Sequence, residues 1–309
     1  MNRRIVLVMA LGLLVACERS AQPSTIVIVA TPSATPWVLP TQPAATPTPS
    51  PTPLPSPTPA GWEAIGDGVQ IRHMAAYEGG RGGDVFALRL NPARVDIRLR
   101  YDPEQPRDVA EWFAAERPLA ALNAAFFDQD FTPVGLWMID DTTFGRGHYR
   151  MQGEFRVTGA GLSIRRINER HLSDGTRIFA SLESYPFLLL PGGVINPCLL
   201  DPSFRVGRRY RLCANIWDPA ERLVVGLDRA GYLMFLLAPY ETFSLAGLGE
   251  WLYQSDLNLD VALNLDGGSS AGMLVQTGER TWGADSGRKV PGALVVLPKV
   301  LGIGDNELP

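Results

Sequence analysis

An α+β domain, built from a mixed β-sheet with packed helices, is the fold class this sequence predicts, and three observations predict it. Strand patterns outnumber helix patterns, hairpin signals stand beside helix-to-strand units, and no regular repeat runs through the chain. With 309 residues and 46% hydrophobic content, the chain has ample core for one large domain. The net charge of -4 brings no basic footprint, so nucleic acid is not an expected partner.

Taken in order, Arg3 and Arg4 precede an apolar run at residues 5–15, too short to span a bilayer but the length of a signal-peptide core. The run ends in Leu14-Val15-Ala16-Cys17, which resembles the lipobox of bacterial lipoproteins. Residues 1–16 are therefore expected to be a lipoprotein signal peptide, with Cys17 carrying lipid and holding the chain to a membrane on its extracytoplasmic side. Residues 17–60 are dominated by Pro, Thr, Ser and Ala and cannot bury a core. Proline at that density favours extended polyproline II, and about 40 such residues would span on the order of 100 Å. This segment reads as a tether, and residues 61–309 as the single domain it carries.

Within the domain, Val95, Ile97, Leu99 and Tyr101 alternate with Asp96, Arg98 and Arg100, the pattern of a half-buried strand. Phe86, Leu88 and Leu90 are expected to form its hairpin partner across Asn91-Pro92. Residues 108–116 predict a short helix with Val109, Trp112 and Phe113 on one side, stopped before Pro118. A buried strand at 119–122 runs into Asn123, and another is expected at 134–139. Apolar runs at 223–227 and 232–237 flank a turn at Asp228-Arg229-Ala230-Gly231. Ser244 can cap a helix with Leu245, Leu248 and Leu252 on one stripe. That helix leads into a strand at Val261, and residues 293–297 supply the last strand.

Three cysteines occur. With Cys17 assigned to lipid, Cys198 and Cys213 remain, and an exported domain allows a bridge between them. It would close a ring of about 16 residues, worth roughly 3 kcal/mol in the chain-entropy model.

Residues 261–272, VALNLDGGSSAG, hold the densest chemistry. An apolar run is broken only by Asn264 and Asp266, which share a face in a regular strand. Gly267 and Gly268 permit a tight turn and close approach of a ligand, and Ser269 and Ser270 add hydroxyls. Asn123 opens a second polar stretch that carries Phe126, Phe127, Asp128 and Asp130 on a loop, where functional groups concentrate. Arg222 starts a strand after an exposed turn, and its planar fork suits phosphate oxygens. Gly268 to Gly272 matches G-x-S-x-G, but His73, His148 and His171 all precede it, whereas that serine fold needs a following histidine. The histidines have no zinc-ligand spacing, and no Walker or dinucleotide motif is present.

Three segments in order, NAAFF with PVGLWMIDD (123–141), ERLVVGLDRAGYL (221–233) and SLAGLGEWLYQSDLNLDVALNLDGGSS (244–270), resemble the phosphodiester glycosidase family. The resemblance covers roughly residues 84–297. It implies hydrolysis of a sugar-1-phosphodiester, releasing sugar and phosphomonoester, here on phosphodiester-linked glycans of the cell envelope. In that reading Asp266 faces the anomeric carbon as base or nucleophile, Arg222 takes phosphate, and Asp128 is the reserve carboxylate. Asn123 and Asn264 hold sugar polar groups, while Gly267, Gly268, Ser269 and Ser270 line the turn. No cofactor is required; a divalent cation among these residues is compatible with the set but compelled by no spacing.

The chain departs from the family pattern twice. Ala124 and Ala125 stand where Asn-Gly-Gly-Phe-Phe has glycines, and Leu223 where Pro-Arg-Thr has threonine. These departures motivate an alternative, an envelope glycan-binding lipoprotein without turnover.

Overall fold

The computed structural model describes residues 61–167, 177–201, 203, 205–206, 210–211, 213 and 215–299. The signal peptide, Cys17 and the tether fall outside the described residues.

Three large sheets make the domain, with a two-stranded hairpin of Arg205–Val206 and Tyr210–Arg211 beside them. The largest has eight strands in the order Glu63–Gly66, Val69–Glu78, Arg81–Leu90, Leu233–Phe243, Ala220–Asp228, Leu259–Gly267, Phe187–Leu190 and Val194–Ile195. A five-stranded sheet follows the order Thr142–Arg146, Gly135–Ile139, Ile178–Ser184, Gly153–Thr158 and Gly161–Arg166. The other five-stranded sheet runs Arg280–Ala284, Met273–Thr277, Ala120–Asn123, Gly292–Pro298 and Val95–Tyr101.

All three sheets contribute to one core. Leu88, Leu223 and Leu263 from the largest sheet meet Trp137, Phe155 and Leu182 from the second and Ile97, Leu122 and Leu294 from the third. The opposite face of the largest sheet buries Val224, Leu236 and Ala262 under Leu245, Leu248 and Leu252 of the helix Leu245–Gln254. Strands covered on both faces must be apolar at successive positions, which is why residues 223–225 and 261–263 read as unbroken hydrophobic runs. The helix Val109–Glu116 covers the outer face of the third sheet with Val109 and Trp112. Its start is fixed by a capping box, Asp108 accepting from the Glu111 N–H while the Glu111 carboxylate accepts from the Asp108 N–H.

These elements overturn the α+β expectation. Every ladder between named strands is antiparallel, and among the described residues twenty strands accompany three helices. The domain is mostly β, with its helices as covers over sheet faces rather than a packed helical layer. Both predicted longer helices exist, Val109–Glu116 and Leu245–Gln254, but each covers a sheet face singly. Strands such as Thr142–Arg146 and Gly161–Arg166 carry few buried positions, so hydrophobic alternation does not announce them.

A second correction concerns pairing. Arg81–Leu90 lies between Val69–Glu78 and Leu233–Phe243, not against Val95–Tyr101. Val95–Tyr101 instead pairs with Gly292–Pro298, so the Asn91-Pro92 turn carries the chain from one sheet to another. The hairpin across Asp228 to Gly231 is present as expected.

Cys198 and Cys213 form a disulfide. Both are buried in the core beneath the helix Leu245–Gln254.

Candidate functional site at the end of the central ladder

The site forms where Ala220–Asp228 and Leu259–Gly267 run side by side. Their register pairs Arg222 with Gly267 and Leu223 with Asp266, but Val224 with Asn264. Leu265 is thus an extra residue, a bulge between Asn264 and Asp266. Bulges near sites re-aim side chains. The simple alternation that put the two polar residues on one face is interrupted here.

Asp266 is 6% exposed. Its carboxylate accepts from Asn123 Nδ2 at 2.8 Å and from the Gly267 N–H at 2.7 Å. Asn123 is fully buried at the end of Ala120–Asn123, so the third sheet delivers the amide that holds a carboxylate of the first. Burial pushes the Asp266 pKa up to about 6, only partly offset by the Gly267 N–H, by Asn123 and by the charges of Arg288 and Arg222. Two buried acceptors stand near this carboxylate without a hydrogen-bond partner among the described residues, Asn123 Oδ1 and Asn264 Oδ1.

Arg222 is also buried, at 8% exposure. Its Nη2 donates to the Asp218 carbonyl at 2.7 Å and its Nε to the Phe243 carbonyl at 3.4 Å. Its Nη1 lies so close to Gly267 that a Cβ there would stand 2.8 Å away. The Glu221 carbonyl oxygen would stand 2.9 Å from the same Cβ, and because main chain cannot yield as a side-chain end can, it is what demands glycine at 267. Gly268 is demanded by its backbone, which has φ 68°. Burial depresses the Arg222 pKa, while Asp218, Asp266, Glu221 and Glu78 favour the charged form.

A cleft of about 210 Å³ opens beside these groups, lined among others by Arg222, Asn264, Phe126, Tyr185, Arg150 and Asp218. Phe126 packs on Tyr185 with ring centroids 4.9 Å apart. Asn264 donates from Nδ2 to the Tyr185 carbonyl at 3.0 Å, which fixes its amide.

The predicted residues divide accordingly. Asn123, Arg222, Asn264, Asp266 and Gly267 come together. Gly268 and Ser270 continue directly as a short 3₁₀ turn in which Ser269 is exposed and Ser270 buried. Asp128 does not join them: it is exposed and pairs with Arg146 at 3.4 Å. The cleft supplies its own second carboxylate in Asp218. Ala124, Ala125 and Leu223, the three departures from the family pattern, are each fully buried with their side chains in the main core. Sequence reasoning missed Arg150 and Arg288, which sit in loops without periodicity. Among the described residues no three His, Cys, Asp or Glu side chains converge as a metal-binding group.

A mostly antiparallel β domain that buries a carboxylate, two amides and a guanidinium at the end of its central ladder has the construction of a polar ligand site. The family model for phosphodiester glycosidases matches residues 116–297, more than half of the chain, and the chain belongs to that family.

Among solved structures the chain is similar to the catalytic domain of zebrafish N-acetylglucosamine-1-phosphodiester alpha-N-acetylglucosaminidase, auto-inhibited by its pro-peptide. Identity is 16%, with 77% of this chain and 86% of that one covered at a TM-score of 0.62. At that identity the likeness establishes the fold. A hypothetical protein from Synechocystis also matches, at 16% identity and TM-score 0.49 over 75% of this chain and 62% of that one. A search of curated proteins finds no match.

Proposed function

We propose that this chain hydrolyses a sugar-1-phosphodiester of the cell envelope while anchored to a membrane by lipid on Cys17. The observation that carries the reading is Asp266, a buried carboxylate fixed by Asn123 and next in the ladder to Arg222, which with Asn264 lines the polar cleft.

The chemistry follows from what must change in the reaction. Water adds to the anomeric carbon, the bond from that carbon to the phosphate oxygen breaks, and its electron pair leaves on the phosphomonoester. Such a leaving group has a second pKa of about 6, so it needs little protonation to depart. The protein has to receive the proton of water, balance the phosphate charge and orient the sugar. Asp266 is assigned the proton, or the covalent role if the reaction retains configuration. Its pKa of about 6 leaves it ionised at neutral pH yet basic enough to accept a proton. Arg222 supplies positive charge from below, helped by Ser269 and the glycine turn. Asn264, which lines the cleft, is assigned the polar groups of the sugar, and Asn123 holds Asp266 in place.

The binding-only alternative drew on Ala124, Ala125 and Leu223. Since their side chains lie in the core rather than in the cleft, they no longer argue against turnover. The test is release of sugar and phosphomonoester from a synthetic sugar-1-phosphodiester by the full chain. Turnover that persists in both Asp266→Asn and Arg222→Ala would sink the assignment.

A further inference from the structure

We infer that Arg150 is a second anion-binding residue of the cleft, gripping phosphate oxygens at its mouth while Arg222 acts from beneath. The inference rests on the phosphodiester reading of the site and adds to it a residue and a division of labour.

Both arginines line the same cleft, but they differ in what they already hold. Arg222 is buried, spends Nη2 and Nε on main-chain carbonyls, packs Nη1 on Gly267, and has four carboxylates in its electrostatic surroundings. Its donors are largely committed to fixing the strand end that carries Asp266. Arg150 is half-buried and lies against the side chains of Tyr185 and Tyr149; among the described residues no carboxylate pairs with it.

Tyrosine hydroxyls can accept from a guanidinium without neutralising it. The Arg150 guanidinium carbon lies 5.6 Å from the centre of the Tyr149 ring, and with five N–H donors the group keeps an edge for a second, bidentate acceptor. A partly exposed cation that no described carboxylate contacts, in a cleft whose own carboxylate Asp218 is not paired with it, favours an anion there. The Arg150 main chain is also held, its N–H donating to His148 Nδ1 at 3.3 Å while the next N–H, of Met151, donates to the His148 carbonyl at 3.0 Å. The fork is therefore presented from a fixed turn, with Tyr185 itself braced by Phe126.

Calorimetric titration of the full chain with inorganic phosphate reads this site without any need for turnover. Arg150→Ala should weaken phosphate binding by roughly tenfold or more, the size expected for a lost charge-assisted hydrogen bond, with Arg150→Lys in between. Arg94→Ala removes the same charge from an exposed arginine outside the cleft and should bind as the parent does. Kinetics on a synthetic sugar-1-phosphodiester should show a KM raised roughly tenfold in Arg150→Ala with kcat within about threefold. If the alanine variant does not fold by circular dichroism, Arg150→Gln serves, with the same expected losses.

Unchanged phosphate affinity in the Arg150 variants overturns the inference, and so does a parent chain that does not bind phosphate at millimolar concentration. A parent that binds phosphate through Arg150 but never turns over phosphodiester leaves this site standing and overturns the proposed function instead.

Discussion

The two ends of the ladder between Ala220–Asp228 and Leu259–Gly267 each bury an arginine and an aspartate, yet they use them in opposite ways. At one end Arg89 and Asp228 are 7% and 6% exposed; at the other, Arg222 and Asp266 are 8% and 6% exposed. Arg89 sends Nε and Nη2 to one oxygen of Asp228 at 2.9 and 2.8 Å and Nη1 to Gln70 at 2.9 Å. The other Asp228 oxygen accepts the N–H groups of Ala230 and Tyr232, and the Tyr232 ring lies 3.6 Å from the guanidinium carbon. Both carboxylate oxygens are engaged, and the pair closes a hairpin.

At the other end the charges are neighbours without being partners. Arg222 binds carbonyls, Asp266 binds an amide and a main-chain N–H, and two amide oxygens nearby have no partner among the described residues. Buried polar groups are ordinarily satisfied, and the exceptions call for a reason. Equal burial with unequal satisfaction separates a structural ion pair from a site that keeps capacity for a ligand.

The largest expected effect lies at the unsatisfied end. Asp266→Asn should lower kcat/KM on a sugar phosphodiester by roughly 10³-fold, within the range for loss of a general base. In the parent chain the proposed reaction needs the same carboxylate ionised, so kcat/KM should fall as pH drops through about 6. A rate flat from pH 4 to 7 would remove Asp266 from the proton transfer.

The satisfied end should answer in stability alone. Arg89→Ala strands the Asp228 charge in the core and should cost about 3–5 kcal/mol of unfolding free energy, read by urea titration. Activity per folded molecule should be unchanged. A variant that stays stable but loses turnover would erase the contrast between the two ends.

Much of the contrast was legible in the sequence, for identifiable reasons. Asn264 and Asp266 stand out because a strand buried on both faces tolerates few polar residues, and Gly267-Gly268 mark its end. Asn123 stands out in the same way after an apolar run. Cys198 and Cys213 follow from counting once Cys17 is set aside. The fold class was misread because strand pairing is non-local: Val95–Tyr101 meets Gly292–Pro298 from the far end of the chain, and no local pattern encodes that meeting. Arg150 went unnoticed because its loop has no period and its importance lies in lacking a carboxylate partner, a property of space. The bulge at Leu265 was equally invisible, since a ladder register belongs to two strands at once.

A smaller effect at the site should appear with opposite sign to the loss of activity. The folded-state pKa of Asp266 stands above its ordinary value of 3.8, at about 6. Below about pH 4 the group is protonated whether folded or not and costs nothing; as pH rises toward 6 and beyond, the folded state holds an ion that burial disfavours. Asp266→Asn should therefore stabilise the chain at pH 7 by on the order of 2–3 kcal/mol, and the gain should vanish near pH 4. The unpartnered Asn123 Oδ1 gives the new amide an acceptor if the Asn123 side chain turns over. A variant less stable than the parent at pH 7 would mean that the carboxylate is structural, as Asp228 is.

The smallest effect separates the two serines of the turn. Ser269 is exposed, with Gly287 behind it, whereas Ser270 is buried. An exposed hydroxyl that donates only to bound phosphate contributes a single hydrogen bond, about 1 kcal/mol net. Ser269→Ala should then raise KM for the phosphodiester roughly fivefold, leave the melting temperature unchanged, and alter kcat little. An unchanged KM would confine phosphate recognition to the arginines and the main chain. A lowered melting temperature would give Ser269 a role in the fold, as Asp228 has.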